Sequence, residues 1–172
     1  MWLYYVLGGI VVVFGIVVFR GAPYLPSHRR HVRAAFRDLY PIGKKDVLVD
    51  IGSGDGVILR LAAEHGARAV GYEINPFLVV ISWLLGLGNS KISVRLVDFW
   101  LTSLPPDTTI VYAFSVTRDI EKIADKLQKE ATSQQRQLWL MTYGSAVTSR
   151  KPVKVLKAHS LYRFEPLQSD EA

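Results

Sequence analysis

The chain has 172 residues, 49% of them hydrophobic, and a formal charge of +6, which leaves room for one ordinary domain and little else. With no cysteine, disulfides, thiolate metal sites and a cysteine nucleophile are excluded. Four scattered histidines offer no zinc site, so no metal is expected.

Residues 2–19 carry no charged side chain. As a helix they would extend about 27 Å, close to one bilayer core. A cleaved signal peptide would need a basic start, and nothing basic precedes Trp2. A transit peptide would be rich in Arg and Ser, and this stretch is not. A single membrane anchor over residues 1–20 is therefore expected. Trp2, Tyr4 and Tyr5 would lie at one interface and Tyr24 near the other. Arg20, Arg29, Arg30, Arg33, Arg37, Lys44 and Lys45 all follow the span. The positive-inside rule then puts the rest of the chain on the cytoplasmic side, or in the matrix if the membrane is mitochondrial. The basic cluster suits topology and anionic headgroups. It lacks the interleaved aromatics of a single-strand nucleic-acid platform, so nucleic acid is not an expected partner.

Residues 21–45 read as a Pro-punctuated linker and a basic helix. Ser27 is a candidate N-cap, and Val32, Ala35, Phe36 and Leu39 recur at helical spacing. From 46 to 166, strands and helices alternate. Strands are expected at Val47–Ile51, Ala69–Tyr72, Ile92–Val97, Thr109–Phe114 and Gln137–Thr142. A helix from about Val57, with Ile58, Leu61, Ala62 and His65 on one face, stops at Gly66. A second helix, Phe77–Leu85, follows Asn75-Pro76 and is apolar on nearly all sides. Core burial is its expected fate, with a membrane-facing position as the alternative. A third helix runs from Asp119 to about Ala131. Val153–Phe164 offers one or two further strands, antiparallel in one arrangement, and residues 167–172 form a tail. The pattern predicts an α/β fold, a mostly parallel sheet covered on both faces.

The run Val47-Leu-Val-Asp-Ile-Gly-Ser-Gly-Asp-Gly-Val57 is a strand ending in a glycine turn at the start of a helix. Such turns build nucleotide-shaped pockets. The dinucleotide fingerprint would need glycine where Val57 stands. The spacing Asp50-x-Gly52-x-Gly54-x-Gly56 instead resembles motif I of the class I S-adenosylmethionine (SAM) methyltransferases. Asp50, Gly52, Ser53, Gly54, Asp55, Gly56, Glu73, Asp98 and Phe99 are thereby the candidate cofactor-binding residues. Glu73 would accept from ribose hydroxyls and Asp98 from the adenine amino group, with Phe99 near the ring. Gly52 and Gly54 would admit the methionine portion, and Asp50 would lie near its ammonium.

Ala22-Pro23-Tyr24-Leu25-Pro26-Ser27, Val49 to Gly56, Gly71-Tyr72-Glu73-Ile74-Asn75 and Val97-Asp98-Phe99-Trp100 together resemble one branch of that class. It comprises archaeal protein-lysine methyltransferases and small membrane-anchored mitochondrial lysine methyltransferases. The resemblance covers about Gly21 to Thr142. It implies a Rossmann-like sheet of the seven-strand type, trimmed, and N-methylation of lysine on a membrane-associated protein. It also makes Tyr24 a candidate for lining a lysine channel, although an interfacial anchoring role stays open. Tyr24, Tyr112 and Ser115 are the candidate catalytic residues, holding the amine together with carbonyls near Phe114 and Ser115. The chain departs from the pattern at Val57, where many members carry Arg or a similar polar residue. It also lacks, after the fourth strand, the Asn-Pro-Pro-Tyr or Asp-Pro-Pro-Tyr of enzymes that methylate nucleobase amino groups or glutamine. A lipid or quinone acceptor, and a SAM-binding module without turnover, remain alternatives.

Overall fold

A computed structural model describes residues 29–115 and 117–167, together with the isolated helical positions 2, 4, 5, 8 and 9. The expected span, the linker with Tyr24, the Ser27 cap and the tail from 168 lie wholly or mostly outside the described residues. Among those described, no helix is long and apolar enough to cross a membrane.

Helix α1 (Arg29–Ala34) runs into one π-helical turn, Ala35–Leu39. Then come β1 (Val47–Ile51), α2 (Val57–Glu64), β2 (Arg68–Glu73), α3 (Pro76–Leu85), β3 (Ile92–Leu96), a 3-10 turn (Phe99–Leu101), β4 (Ile110–Ser115), α4 (Thr117–Ser133), β5 (Leu138–Gly144), β6 (Lys154–Leu156) and β7 (His159–Phe164). The seven strands form one sheet in the order β3-β2-β1-β4-β5-β7-β6. The first five are parallel, and β7 runs antiparallel to both β5 and β6. The sheet expected to be trimmed has all seven strands, and the connection between β3 and β4 carries only a 3-10 turn.

Alternation along the strands divides the core into two layers. Val49, Val70, Val111, Leu138 and Leu140 pack against α4 through Ile120, Ile123 and Leu127. Leu48, Ala69, Ile110, Tyr112 and Met141 pack on the other face against α1 and α2. The basic helix is therefore part of the domain core. Val32, Ala35 and Phe36 are fully buried or nearly so, while Arg33 reaches Glu64 at 3.0 Å on the outside. His65, expected on the buried face of α2, is instead its exposed C-cap, with its ring edge-on to Phe36.

The largest departure from expectation is α3. Its N-terminus forms as the sequence suggests: the Asn75 side chain accepts from the Phe77 amide at 3.0 Å, and Pro76 fills the first turn. Of its ten residues, however, only Ser82 is buried. The sheet ends at β3, so among the described residues this helix has a neighbour on one side only.

Candidate functional site

In an open α/β sheet, ligands bind beyond the carboxyl ends of the strands, where the strand order reverses. Here that point is β1, flanked by β2 on one side and β4 on the other. The chain leaves β1 through Gly52, Gly54 and Gly56, all at positive φ. The Gly52 and Ser53 amides donate to the Tyr72 carbonyl at 2.9 and 3.1 Å, which ties the loop to the end of β2. A Cβ added at Gly52 would meet nothing within 4 Å, so open space lies beside this backbone.

Glu73 clasps the loop. Its Oε2 accepts from the Gly54 amide at 2.9 Å, and its Oε1 accepts from the Ile74 and Asn75 amides at 2.9 and 2.8 Å. Three of about four lone-pair positions are thus filled, and one is left for a ligand hydroxyl. Asp55 starts α2: its Oδ1 accepts from the Val57 amide, and its Oδ2 pairs with Arg60 at 3.1 Å. Asp50, only 3% exposed, has its carboxyl pushed well above the usual carboxylate range. Burial is the main cause, and the charges of Glu73 and Asp55 add to it.

Asp98 lies beyond β3, with Oδ1 receiving the Trp100 amide at 2.8 Å in an exposed turn. Phe99 turns into the core, 5% exposed, with the Lys126 Nζ 5.2 Å from its ring centroid. Trp100 stands outside it, 44% exposed. The Ser53 Oγ is buried and has no partner among the described residues. It packs against β2, where a Cβ on Gly71 would come within 2.5 Å of it and 2.8 Å of Leu59 Cδ1. Gly71→Ala is therefore expected to cost about 1–3 kcal/mol by overpacking, read as a lowered urea midpoint.

The catalytic candidates are differently placed. Tyr24 is outside the described residues. Tyr112 pairs in register with Asp50 but is wholly buried beneath α1, edge-on to Phe36 and 3.1 Å from His159 Nε2. Ser115 ends β4 opposite Gly144. The structure adds an aromatic row that spacing alone does not single out. Phe114 stacks near Tyr143 at 5.6 Å between centroids, and Tyr143 lies 4.7 Å from His159. Strand register is the available signal, since β4 and β5 pair in parallel with Phe114 opposite Tyr143.

His159 is 1% exposed, and its pKa is held down to about 4, mainly by burial and secondarily by His31. An unfolded histidine titrates near its ordinary 6.5. The unfolded chain therefore binds the proton first as pH falls, and stability is lost from 6.5 down through about 4. The shift bounds this loss at roughly 3 kcal/mol. Urea midpoints at about pH 7.5 and about pH 5 read it, and His159→Phe should flatten the difference.

Among the described residues, no group of His, Cys, Asp and Glu is arranged to hold a metal ion. The donor set suits an organic cation bearing hydroxyls. A positive charge beside Asp50 would relieve the crowding of three carboxylates, Glu73 retains an acceptor position, and open space adjoins Gly52.

No family model matches the chain. Over 113 residues, 63% of this chain, it is 35% identical to a lysine N-methyltransferase of Mus musculus named for a component of ATP synthase, of which the match covers 44%. It is likewise 35% identical over 113 residues to the mouse adenine nucleotide translocase lysine N-methyltransferase, covering 63% of this chain and 48% of that one. The chain spans about half the length of the curated relatives it matches. In structure it is similar to an RNA methyltransferase from Salinibacter ruber in complex with S-adenosyl-L-homocysteine, with a TM-score of 0.71 and 24% identity, covering 86% of this chain and 98% of that one. It also resembles a dimethyladenosine transferase from Plasmodium falciparum, with a TM-score of 0.59 and 15% identity over 70% and 43% of the two chains. At these identities the structural likeness is one of fold. The chain thus has the fold of the class I SAM-dependent methyltransferases, and its sequence is related to the lysine N-methyltransferases among them.

Proposed function

We propose that this chain is a SAM-dependent N-methyltransferase that acts on lysine of a membrane-associated protein, tethered to the membrane by residues 2–19. The observation that carries the reading is the glycine turn at the strand-order reversal, with open space beside Gly52 and the interacting carboxyls of Asp50 and Glu73 at the turn. Relatives named for lysine methylation of two proteins support the acceptor class.

When bound, SAM supplies a methyl group on a positively charged sulfur, a leaving group that needs no further activation. Asp50 would face the ammonium of its methionine portion, Glu73 the ribose hydroxyls, and the free oxygen of Asp98 the adenine amino group. The chain's further task is to present a neutral amine. Lysine ordinarily titrates near 10.4, and an apolar approach disfavours its charged form. Phe114 and Tyr143 at the ends of β4 and β5 would supply that surface.

Asp50→Asn separates folding from binding. It removes a carboxylate that is disfavoured in its charged form. The variant is expected to be as stable as the parent or more so, yet to bind SAM at least about tenfold more weakly, a loss near 1.4 kcal/mol. Thermal unfolding and calorimetric titration measure the two effects. The function itself is read by incubating the chain with methyl-labelled SAM and membranes, then counting protein and lipid separately. Label on a protein lysine supports the proposal. Label in lipid replaces the acceptor class, and SAM binding without label leaves a binding module.

A further inference from the structure

Residues 74–90 contain no charged side chain, and the structure turns most of them outward. On α3, Phe77, Val80, Ile81, Trp83, Leu84 and Leu85 are each between 43% and 58% exposed. Leu87, just past the helix, is 59% exposed, and Leu96 at the end of β3 and Leu101 in the 3-10 turn are 56% and 86% exposed. A contiguous surface of this kind is far from the scattered exposed hydrophobics of an ordinary soluble face. Its chemistry is graded. The centre is aliphatic, Trp83 and Trp100 present rings suited to a water–lipid interface, and Lys91 lies exposed in the turn between α3 and β3.

We infer that α3 and the β3 edge form a membrane contact of the folded domain itself, with α3 lying in the headgroup–acyl boundary of an anionic bilayer. At ten residues the helix is about 15 Å long, too short to cross a bilayer core and suited to lying in its plane. Lys91 and the overall charge of +6 complement anionic lipid. They argue against a second copy of the chain, since a two-fold contact would join two chains of charge +6 through a segment, 74–90, that offers no acidic residue to pair with Lys91. The consequence is orientation. α3 begins three residues after Glu73, so seating it in the interface turns the glycine-loop edge toward the bilayer surface. The inference concerns a surface of the domain and holds whether or not the chain transfers methyl groups.

The absence of cysteine makes the test direct. Leu84→Cys on α3 and Asp125→Cys, at an exposed position of α4, are labelled separately with an environment-sensitive fluorophore. The full chain is then mixed with vesicles of phosphatidylcholine and phosphatidylglycerol. The probe at position 84 is expected to brighten several-fold and to be quenched by nitroxides on the acyl chains, while the probe at 125 does neither. A second preparation carries the probe at Leu87→Cys together with Val80→Glu and Leu84→Glu. These are exposed positions, so circular dichroism should be unchanged while acyl-chain quenching at 87 is lost. Four results would overturn the inference. One is a chain that floats with vesicles while position 84 stays in water, and another is a chain that does not float at all. A third is quenching at 87 that is indifferent to the two glutamates. The fourth is a position 84 already covered without lipid, crosslinking to residues 2–19 or to a second copy. SAM titration on the same samples reads the proposed activity separately, and the two glutamates should leave it unchanged.

Discussion

Glu73→Ala is expected to unfold the site before it changes any chemistry. The carboxylate receives the amides of Gly54, Ile74 and Asn75 at 2.8–2.9 Å, in a position only 7% exposed. Removing it strands the buried N–H groups of Gly54 and Asn75, each worth about 1–3 kcal/mol without a partner, and the part-buried N–H of Ile74, which costs less. One effect runs the other way: the charge of Glu73 also raises the pKa of Asp50, and its loss relieves that strain. The expected net cost is about 3–5 kcal/mol, or roughly 10 °C in Tm for a chain of this size. Glu73→Gln keeps one carbonyl acceptor and should lose about half as much. Urea unfolding measures the stability, and hydrogen exchange at the Gly54 and Asn75 amides localises it. Both amides should exchange faster in the alanine variant, together with a large loss of SAM affinity. Unchanged exchange at either position would show that the clasp does not hold the loop.

The same residue shows how much of the molecule is legible in the sequence. Strand ends are readable because short apolar runs are cut off by glycine or acid: β1 is expected at Val47–Ile51 and is found there. The glycine spacing points to the site because such a turn has few other uses. The loop's internal wiring is not readable. Glu73 is expected to face a ligand, and nothing in the spacing says that most of its acceptor capacity is taken by backbone amides nineteen residues back and one and two residues on. Tyr112 illustrates a second limit. Its place near the end of β4 is apparent, but strand alternation alone does not say which face α1 covers, and α1 covers Tyr112. The failed expectation for α3 has a third cause. An all-apolar helix in a small α/β domain suggests burial. Burial also needs a neighbour on the far side, and no pattern within the helix reveals that its strand is the last in the sheet.

Gly52→Arg and Gly56→Ala should behave in opposite ways, although both glycines sit in the same turn with φ near +70° (71° and 76°). Any L-residue at either position pays about 1–2 kcal/mol for the left-handed backbone. At Gly52 that is the main structural cost, since a Cβ there meets no atom within 4 Å. The arginine side chain enters the open space beside the carboxylates and brings its own cation to Asp50 and Glu73. SAM affinity is therefore expected to fall by about a hundredfold or more, a loss near 3 kcal/mol, while Tm falls only a few degrees. At Gly56 the added Cβ would come within 2.1 Å of the Ser82 Oγ and 3.3 Å of its Cβ. Ser82 is the one buried residue of α3, so the hydroxyl must rotate and the helix must shift outward. Gly56→Ala should cost about 2–4 kcal/mol in stability, with its effect on binding following from that loss. Thermal melts and SAM titrations on the two variants give a two-by-two comparison. A stable Gly52→Arg protein that binds SAM as the parent does would remove the glycine turn from the binding site, and with it the reading of Asp50 as the partner of a cationic ligand.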